Sequence, residues 1–290
     1  MHTTNLKDTD LLIIGGMPKA GTTSLFNWLS KHPDIAASVV KETRFFLDKD
    51  YPLPSSARYN GKNLEDYIKY FRHNSDAKLL LESTPDYLYC RTPIHIADIM
   101  PRAKFIFVLR DPVERAVSWY KFAAQLGYLP RKMSFTDYIQ AQLGKSVYKD
   151  TPIYLRALDQ NRLNKYLPHF LEAYGSRCKV FDFAQLKTDP YSIVSEICKF
   201  CGIEPSFYDN FVFDVKNIST GVHAARHARI YYRTRAWFIY TFRPSPKTKN
   251  MLRPIASSIK KILSASQFAH PIELSQDIID AIRSDAQIII

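Results

Sequence analysis

Cysteine is scarce in this chain. Its four residues, Cys90, Cys178, Cys198 and Cys201, are too few and too irregularly spaced for a disulfide framework. Cys198 and Cys201 have the spacing of half a zinc site, but no second pair completes it. They close the helical run Ile193 to Phe200 and read as core residues. No apolar run approaches the ~20 residues that a membrane-spanning helix needs, and Met1 to Asp10 lacks the apolar centre of a signal peptide. The expected protein is soluble and cytoplasmic, with residues 1–10 a flexible start. Acidic residues are missing from one long stretch: between Lys216 and Lys261 stand eleven Lys and Arg residues and no Asp or Glu, which is almost the whole of the formal charge of +12. Such a field draws in nucleotides, acidic or sulfated glycans, lipid head groups or nucleic acid without choosing among them. Internal repeats and low-complexity tracts are absent too.

What is present is an apolar content of 46%, ample for a large core, and one stretch that organises the rest. Leu11-Leu12-Ile13-Ile14-Gly15-Gly16-Met17-Pro18-Lys19-Ala20-Gly21-Thr22-Thr23-Ser24-Leu25 reads as a buried strand, a glycine-bearing turn and the start of a helix whose apolar positions continue at Trp28 and Leu29. A junction of this kind gathers unpaired backbone N–H groups at the positive end of a helix dipole, which suits a phosphate or a sulfate. Gly16 and Gly21 have the spacing of a Walker loop, yet Thr22 stands where that loop requires lysine. The loop's lysine is Lys19, inside the turn. The departure points to an anionic nucleotide handled without a metal.

Three more apolar runs repeat the pattern: Lys78 to Ser83, Lys104 to Leu109 and Cys178 to Phe183. Segments of helical spacing separate them: Leu64 to Phe71, Pro93 to Met100, Phe135 to Leu143, Ile153 to Tyr174 and Tyr191 to Phe200, with Pro271 to Ile282 near the end. Nearly continuous apolar strands alternating with helices predict an α/β fold of three layers, with a central parallel sheet between helices. Ligands of such sheets bind at the carboxyl ends of the strands. The residues just past each run therefore matter most: Lys19 to Thr23, Ser83 to Tyr87, and Arg110 onward. Arg110-Asp111-Pro112-Val113-Glu114-Arg115-Ala116-Val117-Ser118 starts with a cation at a strand end and continues as a helix with Pro112 in its first turn. Arg110 and Ser118 either converge on one anion or serve as an ion-pairing and a surface residue. Glu42, in Lys41-Glu42-Thr43-Arg44-Phe45-Phe46, is the first candidate acid or base, or else a carboxylate paired with Lys41 or Arg44. Tyr51 to Gly61 reads as a loop of the length that covers substrates.

Together these residues resemble the sulfotransferases that use 3′-phosphoadenosine 5′-phosphosulfate, particularly the carbohydrate branch with the heparan sulfate enzymes. Pro18 to Ser24 is similar to the family's 5′-phosphosulfate loop and Arg110 to Ser118 to its 3′-phosphate motif. His32-Pro33-Asp34, Glu42 ahead of Phe45-Phe46, and Glu82-Ser83-Thr84-Pro85 with Tyr87 extend the likeness from Leu11 to Val222. The resemblance implies a P-loop-like sulfotransferase domain over residues 11–290, with Glu42 as general base and Lys19 stabilising the leaving phosphate. It gives Lys19, Ala20, Gly21, Thr22, Thr23 and Ser24 to the 5′ end of the donor, and Arg110 and Ser118 to its 3′-phosphate. Asn217, Ser219 and Arg226, with Arg229 beside them, fall where the family closes a loop over the donor. Arg44, Ser83 and Tyr87 are expected on the acceptor side. Ser83 replaces the lysine that heparan-type enzymes carry there, which argues against a close copy of their acceptor site. The implied reaction moves a sulfuryl group to a hydroxyl of a carbohydrate or glycolipid, with no metal and no nucleic-acid partner. Peripheral membrane contact through 226–261 is a further expectation of the basic stretch. The alternatives are a metal-dependent nucleotide kinase with an altered phosphate loop, and a non-catalytic membrane- or polyanion-binding protein.

Overall fold

The computed structural model describes residues 9–62, 64–71, 77–130, 132–143, 151–215, 222–223, 268–269 and 272–286. The expected Asn217, Ser219, Arg226 and Arg229, and the basic stretch 226–261, lie outside them. The chain forms two compact units, one of residues 1–111 and 165–217, the other of 112–164 and 218–290.

All four apolar runs become strands of the first unit. They are β1 (Leu11–Gly16), β3 (Leu79–Ser83), β4 (Ala103–Leu109) and β5 (Cys178–Asp182), and β2 (Ile35–Ala37) joins them. The five strands pair in parallel in the order β2-β3-β1-β4-β5, the middle layer of a three-layer α/β/α fold. β1 is central and wholly buried, as a strand covered on both faces must be. After β1 the chain runs outward to β2 and returns through β3, and from β4 it moves to β5 on the other side. The carboxyl ends of β1 and β4 therefore flank the place where the strand order reverses, the usual ligand crevice of such sheets. A side chain at Gly15 would meet the rings of Phe105 and Phe107 within 3.0 Å, so β1 and β4 pack closely only without one.

Helix α1 (Thr22–Leu29) follows β1. The expected helix at 64–71 shrinks to α2 (Glu65–Ile68), because the chain leaves it to form a bridge between Phe71 and Ser38. α3 (Thr92–His95) likewise covers only the start of the expected 93–100. α4 (Pro112–Gln125) and α5 (Phe135–Gln140) belong to the second unit.

One expectation fails clearly. Ile153 to Tyr174 is not one helix but three 3-10 turns (Ile153–Leu155, Asp159–Asn161, Leu163–Lys165) and then α6 (Leu167–Tyr174). The reason is a buried guanidinium. Arg115 is fully buried on α4 and donates to the Ala157 carbonyl at 3.0 Å, Asn161 Oδ1 at 2.9 Å and Gln160 Oε1 at 2.7 Å. Asn161 also donates to the Pro112 carbonyl at 3.0 Å. Serving that guanidinium turns Gln160 and Asn161 inward, and burying unsatisfied polar groups costs more than breaking a helix. Arg115→Met should lower unfolding stability by about 2–4 kcal/mol, read as a fall in the urea midpoint with unchanged slope.

α7 (Phe183–Thr188) and α8 (Pro190–Cys201) complete the first unit, α8 closing on Gly202 at a left-handed φ of 71°. Cys198 and Cys201 are buried core thiols as expected, and burial pushes both up to about 12. α9 (Gln276–Ala286) begins later than the expected 271–282. It lays Ile278 and Ile282 into a core with Trp119, Tyr120, Phe135 and Tyr138 of the second unit.

Candidate active site at the strand ends

The turn after β1 is built by backbone conformation. Lys19 and Gly21 both have φ of 76°, in the left-handed region, and Gly21 serves as the N-cap of α1 with no side chain capping the helix start. The first-turn donors of α1 are thus presented without a competing side chain, an arrangement that receives anions. Ala20, Thr22 and Ser24 are buried, while Lys19, Gly21 and Thr23 are half-buried at the surface of the turn.

Arg110 stands one residue past β4 and donates through Nη1 to the Lys19 carbonyl at 2.9 Å. The two segments that the sequence offered as anion sites are therefore locked together at neighbouring strand ends. Phe183 packs between them. Its ring lies 4.5 Å from the Arg110 guanidinium carbon, and a Cβ placed on Gly21 would come within 3.0 Å of it. Sequence reasoning missed Phe183 because the fourth apolar run was read through it, whereas β5 ends at Asp182 and leaves Phe183 just past the strand. Ser118 belongs to the second unit, half-buried on α4.

Glu42 lies on the segment after β2, its side chain 34% exposed, with Oε2 2.9 Å from Arg44 Nη2 and Oε1 3.3 Å from Lys41 Nζ. Burial alone would raise its pKa, but the charges and hydrogen bonds of Lys41 and Arg44 outweigh that and hold it below the ordinary value. Both pairings that the sequence offered Glu42 are therefore made. Arg44, at a left-handed φ of 58°, also donates to the Pro54 carbonyl at 3.1 Å, tying the expected covering loop to this segment. Arg58 organises that loop by donating to the carbonyls of Asp48, Lys49, Tyr51 and Leu53.

Ser83 and Tyr87, expected on the acceptor side, are instead fully buried. The Tyr87 hydroxyl accepts from the Phe46 amide at 3.1 Å, and neither residue presents side-chain surface to an acceptor. Glu82, which the sequence marked only as part of a motif, is fully buried beneath the segment that follows Glu42. Among the described residues no group of three or more His, Cys, Asp or Glu side chains is gathered as a metal site, and no helix is long and apolar enough to cross a membrane.

Residues 8–220 match the family model described as a sulfotransferase domain. The chain is 31% identical over 203 residues to the bifunctional heparan sulfate N-deacetylase/N-sulfotransferase 2 of Homo sapiens, covering 67% of this chain and 22% of that protein. It is 27% identical over 205 residues to the corresponding enzyme 4 of Mus musculus, again covering 67% and 22%. The chain thus spans about a fifth of the length of these relatives. Among solved structures, a sulfotransferase from Alicyclobacillus acidocaldarius shares the fold, with a TM-score of 0.55 and 22% identity over 80% of this chain and 96% of that one. With a match that takes in both strand-end motifs, the chain belongs to the sulfotransferase family that draws on 3′-phosphoadenosine 5′-phosphosulfate.

Proposed function

We propose that this chain transfers a sulfuryl group from 3′-phosphoadenosine 5′-phosphosulfate to a hydroxyl of a carbohydrate or glycolipid. The observation that carries the reading is the 2.9 Å bond from Arg110 to the Lys19 carbonyl. It joins a cradle for the 5′ end of the donor to a cation suited to a second phosphate, which a 3′-phosphorylated nucleotide has and AMP lacks. The donor supplies an activated sulfuryl group on a good leaving phosphate. The residues do the rest. Backbone and hydroxyl donors of Gly21, Thr22 and Thr23 hold the 5′-phosphate, and the Lys19 ammonium meets the charge that grows on the leaving oxygen. Glu42 is ionised at neutral pH and takes the acceptor's proton, a role set by position before pKa. Arg44, paired with Glu42 and facing the covering loop, orients the acceptor side.

Titration calorimetry tests the donor assignment. Adenosine 3′,5′-bisphosphate should bind about tenfold or more tightly than AMP, the worth of one charge-assisted contact, and Arg110→Ala should remove the difference. Equal affinity for the two nucleotides in the unsubstituted protein would overturn it.

The names of the relatives raise a second acceptor, a glycan nitrogen. Labelled sulfate transfer to an unsulfated heparan backbone and to its N-deacetylated form separates hydroxyl from amine. Cytoplasmic action, and contact of the basic 226–261 stretch with an anionic membrane surface, complete the proposal and rest on sequence alone.

A further inference from the structure

Beneath the Glu42 segment lies a carboxyl that the mechanism above does not use. Glu82, on β3, is 0% exposed, and hydroxyls surround it. Its Oε1 accepts from Thr43 Oγ1 at 2.9 Å and from Thr84 Oγ1 at 2.5 Å, and its Oε2 accepts from the Tyr67 hydroxyl at 3.4 Å. A hydroxyl has one hydrogen to give, so both threonines, having given theirs to Glu82, turn lone pairs to whatever else they touch. What they touch is backbone. The Arg44 amide donates to Thr84 Oγ1 at 3.1 Å and the Phe45 amide to Thr43 Oγ1 at 3.3 Å. The Tyr87 hydroxyl, 3.2 Å from Thr43 Oγ1, must then donate to it, and Tyr87 accepts from the Phe46 amide at 3.1 Å. Three consecutive amides, starting two residues after Glu42, all lead to one carboxyl oxygen.

We infer that Glu82 is a positioning residue for the transfer. Through the hydroxyls of Thr43, Thr84 and Tyr87 it fixes amides 44–46 and so holds the side chains of Glu42 and Arg44 in their working arrangement. The inference rests on the reading of Glu42 as proton acceptor. The relay needs an acceptor at Oε1, not a charge. Burial pushes Glu82 up to about 7 against the hydrogen bonds of Thr84 and Thr43, so near neutral pH it exists in both protonation states. A proton on Oε2, facing the Tyr67 hydroxyl, leaves Oε1 accepting from both threonines. Glutamine reproduces that pattern with its carbonyl at Oε1 and its amide at Oε2, and leucine does not.

The test compares Glu82→Leu with Glu82→Gln in the full chain. Three quantities are read: hydrogen exchange of amides 44–46, kcat and KM on the unsulfated heparan backbone and its N-deacetylated form, and affinity for adenosine 3′,5′-bisphosphate. Glu82→Leu should speed exchange at 44–46 and lower kcat, each by about tenfold or more, with bisphosphate affinity unchanged. Glu82→Gln should restore most of both. Unaltered exchange or kcat in Glu82→Leu, or a glutamine no better than leucine, overturns the inference. Should Glu82→Leu not fold, Thr84→Val, which deprives only the Arg44 amide, decides by the same readings. Failure of the sulfotransferase reading shows elsewhere, as absent turnover in the unsubstituted chain, while the exchange data still judge the relay.

Discussion

Glu42→Gln is expected to lower kcat by about 10²–10⁴, the range that a positioned general base supplies, while affinity for adenosine 3′,5′-bisphosphate stays put. The separation follows from where Glu42 sits. Its ion pairs are to Lys41 and Arg44, whereas the proposed donor side is the Lys19 turn joined to Arg110. Glutamine keeps an oxygen for Arg44 and fills the same volume, so the fold has little reason to respond. The partly exposed ion pairs contribute little to stability in any case.

The pH dependence carries a sign. With its pKa held below the ordinary value, Glu42 is deprotonated at neutral pH, and the activity proposed for it should be lost only as pH falls through that lowered pKa. The stability from its ion pairs follows the same direction: present above the unfolded carboxylate's pKa and lost below it. Glu82 has the opposite shift. Raised to about 7, it favours folding when protonated, and that contribution is fully present at acid pH and lost as pH rises through about 7. A turnover profile of the unsubstituted chain flat through 7, with its acid limb below it, would separate Glu42 from Glu82. Kinetics of the glutamine variant near the original rate would show that the base is misassigned.

The strands were legible because each is a nearly unbroken apolar run, and a strand buried on both faces leaves that trace at any position in the chain. The turn after β1 was legible for a related reason: the groups a parallel sheet offers a ligand sit just past those runs. Helix limits were less legible wherever a distant contact overrode local spacing. Phe71 leaves α2 for Ser38, and Gln160 and Asn161 give up α-helical form for a 3-10 turn that serves Arg115. The acceptor-side expectations for Ser83 and Tyr87 came from the family resemblance, but burial depends on what lies over a residue, and the Tyr87 hydroxyl is closed in by Thr43 and the Phe46 amide. The Glu82 relay could not be read at all. It joins residues 39 positions apart through hydroxyls, and no periodicity in the sequence reports the direction in which a hydroxyl donates.

Lys19 offers the other large effect. Lys19→Ala and Lys19→Gly should each lower turnover by about 10²–10³, the cost of removing one preorganised group that stabilises transition-state charge, and to the same extent. Their stabilities should differ. At a φ of 76° a side chain costs about 1–2 kcal/mol in steric conflict that glycine escapes, against ~0.5–1 kcal/mol of extra chain entropy that glycine gives up on folding. Glycine should therefore match or exceed alanine in thermal midpoint. Since both lack the lysine side chain, any contact the ammonium makes cancels from the comparison. Equal loss of turnover with the more stable variant no more active would show that the left-handed lysine is kept for its charge, because the turn itself is better made by glycine. Turnover near the original rate in either variant would remove Lys19 from the mechanism and leave the leaving phosphate to the backbone donors of α1. A bisphosphate affinity that falls as far as kcat would make Lys19 a ground-state contact, since an interaction made only in the transition state lowers kcat and spares binding of the product.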